Sequence, residues 1–192
     1  MDEKIKKIQA LFTKAEQRIK KVESFSEGLC VPAVNELRYV GFHLLRALQS
    51  GAEEEFKRHE FEKAENHCAR AIYDASEMGV FYCLKQIRTF NEDYKNIVIT
   101  DILPDYGDCL TLAEDAKDLL TNKICANAID EREKHYKEMD AHFIELEKWP
   151  KRLTAIRPEA NKEIDRINRK NLTAATMIFL AALGVIVAIL FH

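Results

Sequence analysis

Glycine and proline are scarce in this chain, with six and four among 192 residues. A β-sandwich or barrel turns its backbone every few residues and draws on both, so an all-β fold is excluded and helices are expected. Tryptophan occurs once, at Trp149. The five cysteines, Cys30, Cys68, Cys83, Cys109 and Cys125, are odd in number and widely spaced, with no CxxC pair. That pattern fits neither a secreted disulfide framework nor a zinc finger, and it predicts reduced, buried thiols. No apolar run follows Met1, so no signal peptide is expected. Phosphate loops, GxSxG, HExxH and GxGxxG are all missing, which removes the best-marked hydrolase, metalloprotease and dinucleotide classes. His59-Glu60 begins like a zincin, but Lys63 stands where the second histidine belongs.

The most informative absence is charge. No Lys, Arg, Asp or Glu lies beyond Lys170. Leu172 to Phe191 reads LTAATMIFLAALGVIVAILF, 20 residues without a charge. At about 1.5 Å per residue this run spans roughly 30 Å, the thickness of a hydrocarbon core. Residues 148–170, just before it, hold eight basic and three acidic residues, a net +5. Residues 1–147 hold 21 basic and 29 acidic residues, a net −8. The positive-inside rule places such a basic flank in the cytoplasm. The expectation is a tail-anchored, single-pass protein with its N-terminal head cytoplasmic and the lipid bilayer as a partner. Three segments follow: 1–148, a cytosolic helical bundle; 149–171, a basic juxtamembrane segment and stalk; and 172–191, a transmembrane helix.

Within the span, Ala174, Ala181 and Ala188 repeat at seven, and Gly184 with Ala188 forms a small-xxx-small pair. Small residues on one face let backbones approach, which is how helices pack in lipid. This stripe predicts a homo-oligomer, and since one span encloses no conduit, any pore must be oligomeric.

The head reads as consecutive helices. Ile5, Ile8, Phe12, Ala15, Ile19 and Val22 fall at spacings of 3 and 4, an amphipathic helix over 3–24. Pro32 and Gly51 bracket a second, striped by Leu37, Val40, Leu44 and Leu48. A third is expected over 52–78, ended or kinked by Gly79, and a fourth over 80–97. Pro104 and Gly107 mark a loop. A fifth helix runs from about Cys109 to Lys148 and is broken at Trp149-Pro150, and Pro158 opens the last. From Glu159 that helix would lift the head roughly 20 Å off the bilayer. Glu131, His135, Glu138, His142 and Glu145 share one helical face, a metal-like stripe better read as a solvated flank, so no metal and no cofactor is expected.

The candidate site lies on the second and third helices: Arg38, His43, Arg46, His67 and Arg70. Arginine supplies bidentate phosphate contacts, so these residues suit a nucleotide or oligonucleotide signal. Four residues separate Arg38 from His43, a spacing that resembles the Arg-x4–6-His signature of HEPN domains, a helical family with many RNA-cleaving members. Such nucleases usually have a polar residue after the arginine, where this chain has Tyr39. Histidine as general acid/base and arginine against phosphorane charge would cleave RNA at a dimer seam. Arg38 and His43 thus remain open between catalytic, ligand-binding and structural roles. Taken whole, an all-α, HEPN-like head with one terminal hydrophobic helix resembles membrane effectors of bacterial antiphage defence. These include the membrane accessory protein of type VI-B CRISPR loci and the transmembrane effector of the Hailong system. That resemblance implies an inner-membrane pore gated by a nucleic-acid event, with no enzymatic activity and with a defence-system partner protein. The alternatives are a membrane-tethered ribonuclease or RNA-binding protein, and a non-catalytic membrane scaffold.

Overall fold

The computed structural model describes residues 2–121 and 129–190. The order is α1 (Asp2–Ser26), α2 (Val31–Ala47), α3 (Glu54–Asp93), a 3₁₀ turn (Ile99–Asp101), α4 (Tyr106–Thr121), α5 (Ile129–Leu146) and α6 (Trp149–Leu190). There is no strand among the described residues, so the fold is all-α. Cys125 lies outside them, as do Phe191, His192 and the join expected between α4 and α5.

The 40-residue α3 is the spine. Two acidic residues, Glu54 and Glu55, sit in its first turn, where the helix dipole favours them. Lys4 reaches Glu62 at 3.9 Å and Lys7 pairs with Glu65, so α1 runs alongside α3 in the same direction. Histidine–glutamate pairs 43–60 and 67–36 show that α2 runs back against it. Ser76 meets Asp140, and Asp93 meets Arg157, 64 residues apart in both cases. A shared register over two helices means that α5 and α6 continue as nearly one rod parallel to α3. Glu147 and Lys148 alone separate them. Pro150 falls in the first turn of α6, where its missing N–H costs least.

Gly79 does not end the third helix; α3 continues through it to Asp93 and takes in most of the expected fourth helix. The glycine answers a packing demand instead. A Cβ built at Gly79 would penetrate the ring of Phe143, which is fully buried on α5. Nor does Pro158 open the last helix, because α6 begins at Trp149 and contains Pro158 in its interior. The hydrogen bond lost there is offset by packing on both sides: Trp149, Leu153 and Ala160 are buried, and Ile156 and Ile164 pack against the same core. That core gathers Val80, Ile87, Phe90, Tyr106, Met139, Phe143 and Leu146 around the second half of α3. Two smaller clusters join α1 and α2 to its first half. In α1 the buried stripe is Ile8, Ala15, Ile19 and Val22, with Leu11 packed beside it. The expected members Ile5 and Phe12 lie at its exposed edge.

The beginning of α6 is tied to the end of the head. Both terminal guanidinium nitrogens of Arg152 donate to Asp105 at 2.7 Å, Arg157 donates to Asp93 at 3.1 Å, and the Tyr94 hydroxyl donates to Asn161 at 2.8 Å. From Arg169 onward every described side chain is exposed. This last part is long and apolar enough to cross a membrane. The head's core extends through Ile164, so the free stalk before Leu172 is about 10 Å long, half the expected lift.

Gly79→Ala tests the close approach. Alanine favours a helix by about 1 kcal/mol over glycine, yet overpacking against Phe143 is expected to give a net loss of about 1–2 kcal/mol in denaturant unfolding of the detergent-solubilised chain. Adding Phe143→Leu is expected to recover part of the loss. A Gly79→Ala chain at least as stable as wild type would show that the ring does not fill this space.

Candidate functional site

The sequence-selected residues lie at the end of the head farthest from where α6 departs. Glu36 and His43 are seven apart on α2, two turns on one face; Glu60 and His67 repeat that spacing on α3. Because the helices are antiparallel, each histidine meets the other helix's glutamate. The His43 Nδ1–H donates to Glu60 at 2.8 Å, and the His67 Nδ1–H donates to Glu36 at 2.6 Å. The two imidazoles stack between these bonds, 5.1 Å apart and 15° from parallel. Tyr39 continues the stack on His67 at 5.2 Å, and Phe42 meets His43 edge-on at 5.3 Å.

Arginines flank the stack. Arg46 stands 3.5 Å from Glu60 and over the ring of Phe56 at 5.1 Å. Arg70 stands 3.7 Å from Glu36. Lys63 completes the surroundings of Glu60 at 3.2 Å. Glu60 itself is only 1% exposed. Burial pushes its carboxyl up, but the bonds to His43 and Lys63 and the charge of Arg46 outweigh burial and hold it below the ordinary range. Four of the five selected residues therefore converge on two carboxylates. The fifth, Arg38, is exposed on another face, its guanidinium 4.9 Å over the ring of Tyr39, and it enters no ion pair among the described residues. His43 lies five positions after Arg38, so the two project roughly 140° apart around α2.

Glu36 and Glu60 escaped the sequence reading. Their signal was the Glu-x6-His spacing, present once on each helix. A second cluster escaped it as well. Asp140 on α5 is buried and accepts from Lys14 at 3.0 Å and Ser76 at 2.8 Å, with Arg18 at 2.8 Å. Arg18 also lies over Phe143 at 4.8 Å. Burial raises the Asp140 carboxyl, and Lys14, Ser76 and Arg18 overcome it and leave it low. This cluster pins α1, α3 and α5 together. His135 departs from the expected solvated flank: it is buried beside Tyr73, with Nε2 3.4 Å from the hydroxyl. Glu131 and Glu145 of that stripe are exposed. Among the described residues no group of three or more His, Cys, Asp or Glu is placed to hold a metal. Cys30, Cys68, Cys83 and Cys109 are buried free thiols, and burial pushes the last three up to about 12, which keeps them protonated and unreactive.

In the apolar part of α6, Ala174, Ala181 and Gly184 are exposed and share one face, and a Cβ at Gly184 meets nothing. Ala188 follows on the same face by position; its side chain lies outside the described residues. Thr173 and Thr176 donate their hydroxyls to the carbonyls of Arg169 and Leu172, at 2.9 and 2.8 Å. Those bonds satisfy both hydroxyl donors within the helix itself, as an apolar environment would require. No protein family, curated protein sequence or solved structure matches the chain.

Asp74, on α3 within reach of the charges of Glu36 and Arg70, carries the opposite sign of pH dependence to Glu60 and Asp140. Burial, then the charge of Glu36, pushes its carboxyl up to about 6. The folded state therefore holds a proton that the unfolded chain has lost, and stability falls as pH rises from about 4 to 6. Asp74→Asn is expected to stabilise the chain by about 1 kcal/mol at neutral pH, after solvent screening, and to change nothing near pH 4. Thermal unfolding at both pH values checks it. A gain of equal size at both would assign the effect to something other than titration.

Proposed function

We propose that this chain is a membrane-anchored, non-enzymatic effector whose copies assemble into a pore. Its HEPN-like cytoplasmic head responds to a nucleic-acid or nucleotide signal. The observation that supports this reading is the continuity of α6. One helix is packed into the head's core from Trp149 to Ile164, passes through a short charged stretch to Asn171, and continues as the uncharged run that begins at Leu172. A head fused in this way transmits rotation or tilt to the span, whereas a flexible linker would not. The positive-inside rule puts the head, with its basic flank Lys162, Arg166, Arg169 and Lys170, on the cytoplasmic side. The small residues Ala174, Ala181, Gly184 and Ala188 supply the packing face between anchors. Arg46 and Arg70 border the stacked His43 and His67 and present cations to a phosphate-bearing signal. The resemblance to inner-membrane antiphage effectors supplies the biological setting and the expectation of a defence-system partner.

A ribonuclease reading finds less support in one copy. Both histidine Nδ1 atoms are occupied by glutamates, and Arg38 projects away from His43.

Dye efflux from liposomes carrying the purified full-length chain tests the pore. Wild type is expected to release dye, and Gly184→Leu, which adds bulk only to the bare face, is expected to cut release at least several-fold while leaving head unfolding unchanged. Release undiminished by Gly184→Leu would remove the stripe from the packing. No release from wild type, with or without added oligonucleotides, would remove the pore.

A further inference from the structure

The outer face of α2 is the anomaly of the head. A helix on a protein surface buries one stripe and turns charge to water, and a helix apolar all round is normally covered all round. α2 buries Ala33, Val40, His43 and Ala47. Yet its opposite side carries Val31, Val34, Phe42, Leu45 and the capping Leu48, which are 55%, 49%, 52%, 72% and 60% exposed. With Leu29 and Tyr39 at the margins, these residues present on the order of 800 Å², about what each side of a standard protein interface covers.

The bilayer is not the cover. α2 lies against residues 60–74 of α3, whereas α6 leaves the head near Asp93. At about 1.5 Å per residue, the face stands roughly 30–50 Å along α3 from that exit. A second copy does fit. Residues 31, 34, 38, 41, 45 and 48 alternate by 3 and 4, the seam of a two-stranded helical pair. Gly41 falls on that seam, and a Cβ there would meet nothing in its own head, so the monomer fold does not require the glycine. Close approach by another backbone would.

We propose that two copies pair through this face with their α2 helices running in the same direction. Each then presents Arg38 to the other across the two-fold axis, and a phosphate oxyanion bridges them. The direction rests on the membrane-anchored reading above. Two anchors that enter one bilayer from one side place the symmetry axis along its normal. α2 is antiparallel to α3 and hence to α6, so the two α2 helices must be parallel. Residues of equal number then face each other: Val34 with Val34, Leu45 with Leu45, and Arg38 with Arg38 over the gap left by Gly41. Two guanidiniums without acidic partners repel, and a phosphate accepts from both. Inorganic phosphate and the phosphate of a nucleotide share this chemistry.

Cysteine cross-linking of the full-length chain in lipid nanodiscs tests the pairing, in a Cys125→Ser background whose four other thiols are buried. Leu45→Cys and Val34→Cys are each expected to give disulfide-linked dimers under mild oxidant, well above the yield of the exposed control Arg88→Cys. Inorganic phosphate, against chloride at equal ionic strength, is expected to raise the yield several-fold. A nucleoside monophosphate that does so at much lower concentration would identify the source as a nucleotide. Arg38→Leu is expected to give high yield in both buffers. Yields no higher than the control, while wild type still forms oligomers by mass photometry, would overturn this surface and leave the oligomeric reading standing. A monomeric wild type in nanodiscs would overturn both. An Arg38→Leu chain with unchanged yield and phosphate response would remove the bridging anion.

Discussion

α6 runs as one helix from Trp149 to Leu190, so whatever orients its first half orients its second. Three polar ties hold that first half, Arg152 to Asp105, Arg157 to Asp93 and Asn161 to Tyr94, and they come from the loop and helix end that close the head. Beneath them Trp149, Leu153 and Ala160 are buried in the main core. Removing this helix would open that core, so the apolar segment is no appendage on a finished domain. Its direction is a property of the head's own packing, and a stalk of about 10 Å leaves little length over which that direction can be lost.

Inside the head, carboxylates stand where helices cross. Asp140 joins α1, α3 and α5, and Glu36 and Glu60 join α2 to α3. A buried charge costs more than a hydrophobic contact of the same size unless every lone pair is met. Here each of these three carboxylates has at least two partners, and the net effect on Glu60 and Asp140 is to favour the ionised form. These crossings specify register more than they add stability. Shifting α2 along α3 by one turn would strand both glutamates and both histidines, whereas its apolar contacts would find substitutes.

The helical content and the long apolar terminal helix were legible because each rests on periodicity or composition within one segment. What stayed hidden depends on neighbours distant in the chain. Gly79 reads as a helix stop until Phe143 is known to lie against it. Pro158 reads as a helix start until Leu153 and Ala160 are seen to hold the helix on both sides. His43, Arg46, His67 and Arg70 were legible as cations grouped on two helices, but their carboxylate partners were not, since Glu36 and Glu60 look like ordinary surface acids among 32. Asp140 carried no local signal at all; its partners lie on α1 and α3. Ile5 and Phe12 mark the converse error, where a repeat of 3 and 4 was taken one step too wide and the buried stripe rotates onto Leu11.

Charge distribution bears on how such heads would sit together on a membrane. Residues 1–147 carry a net −8 and residues 148–170 a net +5. In the anchored reading the positive segment lies at the lipid surface, where each basic residue gains about 1 kcal/mol from anionic headgroups. The negative head is repelled by the same surface, and by other heads. At physiological ionic strength that repulsion decays over about 8 Å, so it opposes broad clustering yet yields to a short-range contact that excludes water. An apolar helix face is such a contact, and in the proposed pairing Arg38 on it would make association sensitive to anions. Adhesion and sensitivity to a charged signal then reside on the same helix, α2. Its inner face is keyed to α3 by two histidine–glutamate pairs, so a ligand drawn to the outer face acts on an element already registered to the spine that leads to α6.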